Sequence, residues 1–138
     1  MPVWFEALDQ NFPIYYFHLE GKVVHAEYPT LLAQLQEHWQ NSKHSANARR
    51  RVMIVDTTAM EGLPPYDFKI FRNLVTAPAS IQTDLVFVNA PEVWVYLCNV
   101  VKNVFKIDIV FCRSRVDAIK AAQRLANIAQ SISCVHLN

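Results

Sequence analysis

The stretch RVMIVDTTAME, Arg51–Glu61, decides how this chain is read. Val52, Met53, Ile54 and Val55 form an uninterrupted apolar run that ends in Asp56-Thr57-Thr58. A short run that is apolar on both of its faces is the pattern of a strand covered on both sides, as in a parallel sheet. Its polar end is expected to deliver a loop, after which Pro64-Pro65-Tyr66-Asp67 opens a helix. Pro65 suits the first helical position, and Asp67 places a carboxylate in the first turn, where free amides and the helix dipole favour it.

Upstream, Val3–Leu8 and Ile14–Leu19 are aromatic-rich segments flanking the polar connection Asp9–Pro13, which predicts an antiparallel hairpin. Glu20-Gly21-Lys22 reads as a turn feeding a short strand at Val23-Val24, and Pro29 sets up a helix. In that helix Leu31, Leu32, Leu35 and Trp39 share one face. Asn41–Arg51 loses the pattern and reads as a polar loop with Lys43, Arg49, Arg50 and Arg51. No aromatic residue interleaves with that cluster, so it lacks the stacking platforms of a nucleic-acid groove.

Downstream, Phe68, Phe71, Leu74 and Val75 give the second helix its apolar face before Pro78 closes it. Leu85–Asn89 is the next strand, Pro91 starts a third helix, and Ile107–Cys112 is the last strand. Ser114 is the expected N-cap of a final helix whose inward residues are Ile119, Ala122, Leu125, Ala126 and Ala129. Residues 131–138 are expected to fray. The whole predicts one α/β domain over residues 1–138: a mixed sheet whose N-terminal antiparallel hairpin is followed by parallel β-α repeats, with helices mainly on one face. Functional groups of such sheets gather at the carboxyl ends of the strands, here Asp56-Thr57-Thr58, Asn89-Ala90 and Arg113-Ser114-Arg115.

Composition narrows the chemistry. In 138 residues, thirteen basic and twelve acidic side chains leave a formal charge of +1, which calls for neither nucleic acid nor an anionic membrane. Two glycines, Gly21 and Gly62, cannot make a glycine-rich phosphate cradle. The histidines at 18, 25, 38, 44 and 136 have no zinc spacing, so no metal and no other cofactor is assigned. Cys98, Cys112 and Cys134 form no close pair, and no window reaches the roughly 18 apolar residues of a membrane span. A cytoplasmic protein without a membrane span is expected.

On Tyr15–Glu20 with the Tyr28–Gln40 helix, Met53–Thr58, Leu85–Asn89 and the closing Ile107–Leu125 strand and helix, the chain resembles the STAS family, the sulfate transporter and anti-sigma factor antagonist domains. It is most similar to the SEC14-like bacterial branch. The resemblance implies a mixed sheet with helices on one side and a role in protein-protein signalling or ligand sensing, without catalysis. Family antagonists carry a phosphoacceptor serine at the helix opening after the aspartate-bearing strand. That position falls here on Pro65 or Tyr66, so the resemblance implies a module without the phosphorylation switch. Asp56, Asn89 and Arg113 also imitate the strand-end set of phospho-receiver domains, but Leu19-Glu20-Gly21 lacks the acidic pair such a site needs to hold a divalent cation.

The helix over Pro91–Phe105 carries more apolar positions than one buried face requires. Val93, Tyr96, Leu97, Val100 and Val104 are the expected inward stripe; Trp94, Cys98, Val101 and Phe105 form a second that needs another cover. The expected function is therefore a non-enzymatic regulatory or protein-interaction module. Its contact loop would be Asp56, Thr57, Thr58, Tyr66 and Asp67, its partner a protein or a second copy, and its second stripe an interface. The alternative is a carrier or sensor of a small apolar or lipid-like ligand, walled by Trp94, Tyr66 and Phe105, with Lys102, Arg113 or Arg115 meeting an anionic headgroup.

Overall fold

The computed structural model describes residues 3–8, 13–21, 27–42, 50–60, 82–105 and 108–137. The expected hairpin forms, with strand β1 over Val3–Ala7 and β2 over Ile14–Gly21. Helix α1 follows over Glu27–Asn41, then β3 over Arg50–Met60 and β4 over Gln82–Val88. Helix α2 covers Glu92–Phe105, β5 covers Ile109–Cys112, and α3 covers Arg115–Leu137, through most of the stretch expected to fray. The turn and strand expected at residues 22–24 and the helix expected after Pro65 lie outside the described residues. No described helix is long and apolar enough to cross a membrane.

The strands lie in sequence order, β1-β2-β3-β4-β5. β1 runs antiparallel to β2, and every later pairing is parallel. Because parallel crossovers share one hand, a sheet laid down in sequence order receives its crossover helices on one face. Leu35 and Trp39 of α1 and Cys98 of α2 accordingly join one core with Tyr15, Phe17, Leu19, Met53, Leu85 and Phe87. The final helix is not a crossover and is free of that rule. α3 takes the opposite face, where Ala118, Ala121, Ala122 and Ala126 pack on Ile14, Tyr16, Val52, Ile54, Val86 and Val88. Two described helices thus share one face and the third covers the other. Alternate residues of β2, β3 and β4 enter alternate cores, which is why the Val52–Val55 run is apolar on both sides.

Two expectations change. The loop expected up to Arg51 ends earlier: Arg50 and Arg51 are the first residues of β3, and Arg51 is 1% exposed. Asp56-Thr57-Thr58 belongs to the same strand, which continues to Met60 because Glu20 and Gly21 still pair with Ala59 and Met60 after β4 has ended opposite Asp56. Helix α2 is also turned about its axis. Tyr96 is 72% and Val100 48% exposed, although both stand in the stripe expected to face inward, whereas Cys98 of the other stripe is buried. At about 100° per residue the two stripes differ by roughly a third of a turn, and either satisfies the helical period.

Candidate functional site

Strand alternation places Trp4 and Glu6 of β1, Tyr16 and His18 of β2, and Asp56 of β3 on the face that α3 covers. The register sets Trp4 opposite His18, Glu6 opposite Tyr16, and His18 opposite Asp56. At the carboxyl end of this face the side chains form one connected cluster. The fully buried Tyr16 donates its phenolic proton to Asp56 Oδ2, and the Thr58 amide donates to Asp56 Oδ1 at 2.9 Å. The Arg115 guanidinium, from the first residue of α3, lies 4.5 Å above the Tyr16 ring and reaches Glu6 Oε2 at 3.3 Å. His18 Nε2 meets the same Glu6 oxygen at 3.0 Å, and its ring stacks on Trp4 with centroids 4.7 Å apart and planes at 10°.

The electrostatics follow from these contacts. Burial works against the Asp56 charge, but the hydrogen bonds from Thr58 and Tyr16 outweigh it and hold the carboxyl below its usual value. Glu6 is likewise lowered, chiefly by its hydrogen bond to His18, with Arg115 adding to the effect against desolvation. Burial, followed by the bond to Asp56, pushes the Tyr16 phenol up. A lowered carboxyl is a weak base and a raised phenol a weak acid. The pair is suited to holding a shape and poorly suited to moving protons at neutral pH.

A second set of bonds ties the ends of β3, β4 and β5. Thr57 is 4% exposed, and its hydroxyl stands 2.8 Å from the Val88 carbonyl oxygen and 2.9 Å from that of Asn89. Asn89 sits at φ 56°, a left-handed conformation that asparagine tolerates better than most residues. Its amide donates to the Cys112 carbonyl at 2.9 Å and its Nδ2 to Thr58 Oγ1 at 2.8 Å. Of the two threonines expected in the contact loop, Thr58 is exposed and Thr57 is not. Ser114 caps α3 as expected, with the Asp117 amide 3.2 Å from its Oγ and the Ala118 amide 3.0 Å from its carbonyl oxygen.

The structure brings Asp56, Thr58, Asn89 and Arg115 together at this edge, with exposed Arg113 beside them in sequence. It does not bring Cys98 there: that residue is packed in the other core, where burial raises its thiol to about 11. Lys102 is exposed on α2. Tyr66 and Asp67, and the side chains of Trp94, Val101 and Phe105, lie outside the described residues. Among the described residues no His, Cys, Asp and Glu side chains cluster as a metal site. Sequence reasoning missed Trp4, Glu6, Tyr16 and His18. Their signal was the i, i+2 spacing of groups with polar atoms within two strands otherwise assigned to the core.

The opposite strand ends hold charge for structural reasons. Arg50 Nη2 lies 2.7 Å from Asp84 Oδ2 and 3.3 Å from Asp108 Oδ2, and Gln82 Nε2 and the Asp108 amide bond the other Asp84 oxygen. Arg51 Nε donates to Thr83 Oγ1 at 2.8 Å beneath the Trp39 ring, and burial brings its guanidinium down to about 10.

No family model and no curated protein sequence matches the chain. Its fold is similar to that of an uncharacterised protein of the DUF3478 family from Shewanella loihica PV-4, a crystal structure with a SpoIIAA-like fold. The TM-score is 0.64 at 16% sequence identity, covering 87% of this chain and 91% of that one. The fold is therefore SpoIIAA-like, which is the STAS-like fold expected from the sequence.

Proposed function

We propose that this chain is a non-enzymatic STAS-like regulatory or protein-interaction module of the SEC14-like bacterial branch, cytoplasmic, and working without a phosphorylated serine. The supporting observation is the state of its carboxyl edge. Asp56, Tyr16, Thr58 and Asn89 are bound to one another in a closed set, and the protonation shifts of Asp56 and Tyr16 run away from neutral acid-base chemistry. Such an edge offers a partner a rigid surface of Thr58, Asn89, Arg113 and Arg115. Tyr96 and Val100 add an exposed apolar pair on α2.

Native mass spectrometry joined to affinity capture tests the reading. The purified protein is expected to carry no stoichiometric small molecule and to capture a partner that Thr58→Arg and Arg113→Glu both release. A tightly held lipid-like adduct in the wild-type protein, or capture indifferent to both substitutions, refutes the module and favours a carrier.

A further inference from the structure

Among the described residues the sheet ends at β5, and the backbone of that strand has an open side. The Asp108 carbonyl accepts from the Leu85 amide and the Cys112 carbonyl from the Asn89 amide, both at 2.9 Å. Successive residues of a strand turn their amides and carbonyls to opposite sides, so residues 108, 110 and 112 face β4. The amides and carbonyls of Ile109 and Phe111 then point away from the sheet, where no described strand receives them. Natural edges are commonly guarded by charges, prolines or bulges. β1, the opposite edge, has Glu6 within it, whereas Ile109-Val110-Phe111-Cys112 has no charge and no proline, and its register with β4 is unbroken. Phe111 stacks on Phe87 at 5.6 Å but stays 37% exposed beside the open backbone groups. We propose that this edge pairs with the same edge of a second copy, antiparallel about a two-fold axis at Val110, which joins two five-stranded sheets into one.

The strand itself selects this occupant and this register. With Ile109 of one copy opposite Phe111 of the other, every outward amide and carbonyl of the two strands is used, in four hydrogen bonds. An axis at Ile109 or at Phe111 leaves only two bonds between the strands' own residues. The register at Val110 also lays each Phe111 ring beside the other copy's Ile109, on the face that α1 and α2 cover. Val110 meets Val110 on the opposite face. Asp108 falls opposite Cys112 of the other copy, so the two Asp108 carboxylates are not set against each other. The buried alanines of α3 rest on β2, β3 and β4, inside this edge. A pairing of identical edges about a two-fold axis closes on itself and stops at two copies.

This contact goes beyond the proposed module and uses none of Thr58, Asn89, Arg113 or Arg115, so it stands or falls apart from that reading. Amide exchange of the full chain, followed by NMR at about 50 µM and about 1 mM, tests it, the upper concentration being set by the small contact that four residues make. The Ile109 and Phe111 amides, open in a single copy, should exchange at least about twofold more slowly at the higher concentration. Those of Val110 and Cys112, which face β4 in either state, should not respond. Sedimentation over the same range should show a species that stops at the dimer. Phe111→Pro removes an outward N–H and no bond to β4, and should abolish the concentration dependence at Ile109. Phe111→Lys keeps the amide and puts a charge on the edge, and should do the same should the proline variant fail to fold. Equal exchange rates of Ile109 and Phe111 at the two concentrations overturn the proposal. So does growth beyond the dimer, or association that either folded variant retains.

Discussion

Tyr16→Phe removes a single oxygen and leaves the ring beneath Arg115 in place, so it isolates the bond between Tyr16 and Asp56. A hydrogen bond to a charged group contributes about 1.5–3 kcal/mol. Asp56 is only partly buried and keeps the Thr58 amide on its other oxygen, so water can replace part of what is lost and the lower end applies, about 1.5 kcal/mol. For a domain of this size that lowers Tm by roughly 4–6 °C. The pH dependence makes the prediction specific. The folded-state pKa of Asp56 lies below its ordinary value of 3.8, so the stability it contributes is fully present above that value and is lost as pH falls through the lower, folded one. Tyr16→Phe removes one of the bonds responsible. The gap between wild type and variant should be constant from neutral pH down to about pH 5 and shrink below about pH 4 as the wild type loses its advantage. Urea unfolding followed by circular dichroism at several pH values measures it. A gap that stays constant down to about pH 3 would show that the phenol acts by packing and not through its bond to Asp56.

The rotation of α2 is checked by contrast: Tyr96→Ser should change stability by less than about 0.5 kcal/mol, whereas Cys98→Ser, which buries a hydroxyl in an apolar core, should cost about 1–3 kcal/mol by chemical denaturation. Asn89→Gly relieves the left-handed conformation but loses the bond to Thr58, leaving Tm nearly unchanged. Asn89→Val has neither compensation and should cost about 2 kcal/mol or more. Ser114→Ala should cost about 1 kcal/mol and raise exchange first at Asp117 and Ala118, the amides it caps.

The sheet was legible because β2, β3 and β4 each have two apolar faces, and a run such as Val52–Val55 has few other solutions than a strand between two layers. The hairpin and the Ser114 cap were legible for a local reason, since both are set by residues within a few positions of each other. The phase of α2 was not. Its two stripes are equally periodic, and the choice is made by the shape of the sheet beneath, so Tyr96 can face solvent with its ring and hydroxyl while the smaller Cys98 enters the core. The Arg50-Arg51 pair reads as loop because charge usually marks solvent. Its partners, Asp84 and Thr83, lie more than thirty residues away and are found only by pairing strands. A trace was present even so: β4 has an acid at its third position, Asp84, and β5 one just before its start, Asp108, near the end where β3 begins with arginines.

The candidate site shows the same limit in a form that bears on function. Asp56 was readable as a strand tip, but a strand tip facing a loop and one facing the underside of a terminal helix call for different chemistry. Which one holds here depends on α3, the described helix that strand order leaves free to choose a face. By crossing to the face opposite α1 and α2, α3 lays Arg115 over Tyr16 and brings Glu6 and His18 within reach of the start of a helix. Docked on the other face it would leave Asp56, Tyr16 and His18 without that cation, and the carboxylates of Glu6 and Asp56 would repel with only His18 between them. The polar residues of the hairpin, which make little sense as core, are thus explained by the last helix in the chain. Deleting residues 115–138 should accordingly do more than expose Val86 and Val88: it should also raise the acid-titration midpoint of Glu6, measurable by NMR if the truncated sheet stays folded, because Arg115 is one of the groups that hold it down. An unchanged Glu6 midpoint in a folded truncation would mean that the hairpin organises its own charges, and that α3 merely rests on them.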